Sequence, residues 1–92
     1  MRVQPLPGVG VDIRADGSLE LRFPDTAGRS RAYRYSPACT AMWIALRRLD
    51  GDRAAAAETL ARHWGTNPVG IRAELDVWVA ELCEAGLARL AQ

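Results

Sequence analysis

Tyr33-Arg34-Tyr35-Ser36-Pro37 is the stretch at which a period-two pattern of apolar residues gives way to a period-3.6 pattern. Ser36 is a residue type that caps helix N-termini by accepting from an orphan backbone N–H. Pro37 suits the first helical turn because its missing N–H would be unpaired there anyway. A strand is therefore expected to run straight into a helix. Upstream, Val9–Arg14 and Leu19–Phe23 alternate apolar with polar residues, and Ala15-Asp16-Gly17-Ser18 between them carries the Asp-Gly pair that tight hairpins prefer. Pro24-Asp25-Thr26-Ala27-Gly28-Arg29 reads as a turn-rich connection into a third strand over Arg31–Tyr35. In that strand Tyr33 and Tyr35 share one face and Ala32 and Arg34 the other. The tyrosines are expected to pack on the helices, with a binding role for their rings as the alternative.

Downstream, Cys39, Met42, Leu46 and Leu49 recur at helical spacing from Pro37 to Leu49, and Asp50-Gly51-Asp52 supplies a stop and the next cap. A second helix is expected over Arg53–Trp64, with Ala57, Leu60, Ala61 and Trp64 as its apolar stripe and Gly65 as its end. Asn67-Pro68 repeats the cap-plus-proline device and opens a third helix reaching about Ala85, closed by Gly86. The predicted fold is one α+β domain over residues 1–92. It consists of a three-stranded antiparallel β-meander at about 9–35 and a three-helix unit at about 37–85, arranged like a winged helix-turn-helix. Along the third helix Ile71, Leu75, Trp78 and Leu82 form the core-facing stripe. One flank of that stripe is Arg72, Asp76, Val79 and Cys83; the other is Glu74, Val77 and Glu81. Either flank could line a groove, and the alternative, the more usual one, is an ordinary solvated helix side.

A chain of 92 residues with 49% hydrophobic and 25% charged content has the composition of an ordinary globular domain. A domain this small buries only about 60% of its unfolded surface. No apolar run approaches the roughly 20 residues of a membrane span, and Met1–Gly8 lacks the apolar core of a secretory signal, so a cytoplasmic protein is expected. All twelve basic residues are arginine, against eleven acids. The absence of lysine beside abundant alanine fits codon bias better than a binding surface.

A net charge of +1 argues against strong attraction to nucleic acid or anionic lipid. The winged-helix outline makes DNA binding the reading to weigh against. Between Pro68 and Ala85, however, the candidate recognition helix has one arginine and four acids, Glu74, Asp76, Glu81 and Glu84, the wrong sign for a phosphate backbone. Catalytic chemistry has no foothold either. His63 is the single histidine, Cys39 and Cys83 have no basic partner nearby in sequence, and no metal spacing, phosphate loop or nucleotide fingerprint is present. No catalytic residue, metal or cofactor is expected.

The run Tyr33–Pro37, then Ala41-Met42-Trp43, Leu49-Asp50-Gly51, Leu60, Glu74-Leu75, Trp78-Val79, Leu82 and Ala85-Gly86-Leu87 resembles the PqqD-like family of recognition elements from ribosomal peptide natural-product pathways. The resemblance covers roughly Leu19 to Leu90. Tyr35 stands where the family commonly has leucine and Glu74 where it commonly has aspartate. The first departure could reshape a pocket, whereas the second keeps the charge. The resemblance implies a non-catalytic module that binds the leader segment of a precursor peptide. The leader is added as an extra strand beside the third strand, in the cleft against the third helix, and the core peptide is presented to a separate leader peptidase or other maturation enzyme. Lasso-peptide systems and radical-enzyme systems such as pyrroloquinoline quinone maturation both use such elements; the short independent chain and the Ala41-Met42-Trp43 helix favour the lasso type.

An exposed strand edge can pair with a disordered peptide, but backbone bonds alone barely offset the ordering of that peptide, so side-chain pockets must add to them. The expected site is Val79 and an exposed edge of Leu75 as an apolar floor, Arg72, Asp76, Arg31 and Arg34 as a charged rim, Ala32 and Tyr33 for main-chain contacts, and Cys83 on the same flank. A second copy of the chain is the competing occupant of the strand edge.

Overall fold

In the computed structural model, which describes residues 1–24 and 30–92, strand and helix meet with a single residue between them. The strand Ser30–Tyr35 ends one residue before Ser36, and the helix Pro37–Arg48 begins one residue after. Ser36 occupies the N-cap position, yet its side chain makes no bond to the helix backbone; its hydroxyl lies 3.6 Å from the Cys39 sulfur. The anchoring falls to Thr40, which the sequence pattern did not single out. Its buried hydroxyl donates to the Gly17 carbonyl at 2.6 Å and ties the helix to the hairpin turn.

In chain order the elements are β1 (Arg2–Pro5), β2 (Gly10–Ile13), β3 (Leu19–Pro24), β4 (Ser30–Tyr35), α1 (Pro37–Arg48), α2 (Arg53–Trp64), α3 (Pro68–Glu84) and β5 (Ala88–Ala91). β2, β3 and β4 form the expected antiparallel meander, and three helices follow it, so the α+β, winged-helix-like class holds. The β2–β3 turn is closed by the Asp16 carboxylate, which accepts from the backbone N–H and the hydroxyl of Ser18 at 2.9 and 2.6 Å, with Gly17 at φ +88°. The expected connection over 24–29 lies, but for Pro24, outside the described residues. Asp52 caps α2 by accepting from the Ala55 N–H at 3.1 Å, and Asn67 caps α3 by accepting from Val69 at 2.8 Å. Gly65 ends α2 in the left-handed conformation at φ 62°.

A second sheet was not expected. β1 pairs antiparallel with β5, with Val3 opposite Leu90 and Gln4 opposite Arg89. Each strand is four residues long, too short for a periodic signal, and its partner lies at the other end of the chain. The ribbon seats on the α1–α2 turn, where Val3 N–H donates to the Gly51 carbonyl at 3.0 Å. Leu6 N–H donates to the Leu87 carbonyl at 3.1 Å, adding a rung beside the ribbon.

One hydrophobic cluster runs from Val3 through Leu19, Leu21, Met42, Trp43 and Leu60 to Leu75, Val79, Leu82 and Leu87. Burying each such aliphatic side chain contributes about 1.5–3 kcal/mol. The sheet has two unlike faces. Leu19 and Leu21 stand opposite Tyr35 and Tyr33 on the helix side, and both tyrosines pack partly buried against the core, as the alternation implied. Glu20 and Arg22 stand opposite Arg34 and Ala32 on the outer side.

Candidate functional site

Among the described residues β4 has a sheet neighbour, β3, on one side only, so its other edge presents backbone donors and acceptors that no described strand satisfies. The junction chemistry decides what stands beside that edge. Because α1 starts directly after Tyr35, the end of β4 is held against the helices, and the Tyr35 ring meets Trp78 of α3 edge-to-face with centroids 5.5 Å apart. Trp78 in turn meets Trp43 of α1 at 6.4 Å. Burial raises the Tyr35 phenol above its ordinary pKa, and the nearby Glu81 carboxylate adds to that rise. The flank of α3 turned toward β4 is thus the one carrying Glu81.

The expected site residues do not converge there. Leu75 and Val79 are 0% and 1% exposed, so neither floors an open pocket; α3 packs on both α2 and the rest of the core, which widens its buried stripe to include Val79. Arg72 and Asp76 face α2 instead of β4. Arg72 Nε and Arg53 Nη1 both donate to Asp76 Oδ1 at 3.1 Å, and Arg53 opens α2. Cys83, on the same flank, is half-buried and packs against the core as a free thiol.

On β4, Arg34 points to the outer face, where it lies 3.6 Å from Glu20. Glu20 is nearly buried beneath Arg34, Arg22 and Arg14, with Arg14 at 3.1 Å and Arg22 at 3.6 Å. Arg34 therefore pairs on the outer face of the sheet, opposite the face that carries Tyr33 and Tyr35. Ala32 shares that outer face and is exposed. Arg31 and Tyr33 lie on the helix-facing side, Arg31 exposed and Tyr33 half-buried.

The residues that do sit together are Glu74, Val77, Trp78 and Glu81. With Ala73 they line an open hollow of about 330 Å³ on the flank of α3 that carries Glu81. Val77 at its centre is 63% exposed, and Glu74 and Glu81 lie one turn before and after it. The acid-apolar-acid spacing was visible in the sequence; its direction was not. Trp78 joins the hollow to the strand, since it lines the first and its ring meets Tyr35 edge-to-face. Its indole N–H is buried with no acceptor.

A larger cavity, about 440 Å³, opens between α1 and α2, lined among others by Ile44, Leu60, His63 and Trp64. Its lining comes from α1, α2 and Leu49 and includes neither Trp78 nor Tyr35. Among the described residues, no three of His, Cys, Asp and Glu are grouped as metal ligands would be, and no helix is long and apolar enough to cross a membrane. No family model matches the chain, and neither a known protein nor a solved structure shows significant similarity to it.

Proposed function

We propose that the chain is a leader-peptide-binding module of the kind its sequence resembles. It takes an extended peptide as an added strand on β4, against the Glu74–Val77–Glu81 flank of α3, and hands the remainder of that peptide to a separate leader peptidase or other maturation enzyme. The observation that carries this reading is the Tyr35–Trp78 contact, which joins a strand whose outer edge is unpaired among the described residues to a hollow holding an exposed apolar residue. Four or five backbone hydrogen bonds at about 0.5–1.5 kcal/mol each are set against an ordering cost of about 2–5 kcal/mol. Contact with Val77 and the edge of Trp78 supplies the remaining affinity.

The DNA-binding alternative is weaker. The single arginine of α3, Arg72, is occupied by Asp76, while Glu74, Glu81 and Glu84 stay exposed on that helix. Calorimetric titration with a synthetic leader from a precursor gene in the neighbourhood should show binding in the submicromolar to micromolar range that is only mildly weakened by salt. No heat and no competition with a labelled leader would sink the reading. Duplex binding that falls steeply with salt would favour the regulator instead. A neighbouring gene for a cysteine-protease-like peptidase beside an asparagine-synthetase-like cyclase would mark the lasso pathway, and a radical enzyme the other.

A further inference from the structure

Resting on that reading, we propose that the α3 wall selects a basic segment. The bound strand places an aliphatic or aromatic side chain over Val77, with a Lys or Arg on each side of it that pairs with Glu74 and Glu81.

The carboxylates of this chain are not alike. Asp76 is held by Arg53 and Arg72, Glu20 by three arginines, and Asp50 by Arg2. Glu74 and Glu81 have no ion pair among the described residues, and no cation lines the hollow they flank. They stand on either side of an exposed valine, beside Trp78, which is only 4% exposed and also lines the hollow. An occupant that brings cations to this wall supplies the partners that Glu74 and Glu81 lack among the described residues. An acidic occupant would meet two like charges.

The spacing restricts the pattern further. A helix rises about 1.5 Å per residue, so Glu74 lies about 4.5 Å along the axis on one side of Val77 and Glu81 about 6 Å on the other. A strand places side chains of one face about 7 Å apart. An extended segment lying along α3 with an apolar residue over Val77 therefore presents its i−2 and i+2 side chains near the two carboxylates. Lysine and arginine have the reach to close the remaining gap. The predicted recognition pattern is cation, any residue, apolar residue, any residue, cation.

The test pans a displayed random-peptide library on the intact chain and then measures synthetic copies of the enriched peptides by fluorescence anisotropy. The expected result is enrichment of that five-residue pattern. Affinity should drop roughly 3- to 10-fold in the double variant E74Q/E81Q, as the loss of two exposed ion pairs implies, and E74K/E81K should prefer the same peptides with their cations changed to Glu. Both positions are solvent-exposed, and circular dichroism of each variant checks that the fold is kept. Binders without basic bias, or basic binders unaffected by E74Q/E81Q, overturn the charge assignment while leaving peptide binding intact. A library that yields no binder overturns the charge assignment and the leader-binding reading together.

Discussion

Tyr35 meets the Trp78 ring edge-to-face and lies within the field of the Glu81 carboxylate. Both burial and that carboxylate disfavour the phenolate, so the folded pKa lies above the unfolded value near 10. The sign follows from linkage: the contribution to stability is fully present below pH of about 10 and is lost as pH rises through the folded value. Urea unfolding followed from about pH 9 to about pH 11 should show declining stability, and Tyr35→Phe should flatten that decline. An identical slope in the two proteins would remove Tyr35 from the account. The same residue illustrates what the sequence could show. Its place on the helix-facing side followed from alternation with Arg34, but its pairing with Trp78 joins residues 35 and 78, which no local pattern relates.

At the level of elements, β4 offers a backbone edge unpaired among the described residues, and α3 offers exposed side chains beside Trp78. An uncovered strand edge attracts any compatible strand, including that of a second copy. Light scattering over a concentration series should show dimer forming at high protein concentration and dissolving when a bound peptide covers β4; dimer that persists unchanged with peptide bound would place self-association elsewhere. The element boundaries were legible because local chemistry sets them. Asp52 and Asn67 make the cap bonds their types imply, and Gly65 takes the positive φ of a terminator. Ser36 shows the limit. The right residue in the right position leaves its cap bond unmade, and the Thr40 hydroxyl provides the anchoring contact across 23 residues of sequence.

On the scale of the whole molecule, the β1–β5 ribbon closes the two ends of the chain over the α1–α2 turn. That closure depends on Gly51, at φ 78°, because an added Cβ would run into the Val3 backbone. Gly51→Ala should therefore destabilise the fold by about 2–4 kcal/mol, combining the unfavourable φ with displacement of β1. Thermal unfolding measures this, and a loss below about 1 kcal/mol would mean that the ribbon lifts away without consequence for the core. Nothing in Arg2–Pro5 announces a strand by itself, since its register exists only opposite Ala88–Ala91.

What the sequence alone determined is the kind and order of the principal elements and the composition of each helical face, because periodicity, caps and turn residues act over a few residues. It narrowed the third helix to two flanks around one buried stripe. Which flank meets the strand edge was decided only by the tertiary structure. Packing of α2 claimed Arg72 and Asp76 through Arg53, drew Val79 into the core, and left Glu74, Val77 and Glu81 exposed around Trp78, the residue that meets Tyr35 of β4. A helical wheel is blind to that choice, since it records the angles of side chains about one axis and not the positions of neighbouring elements around it.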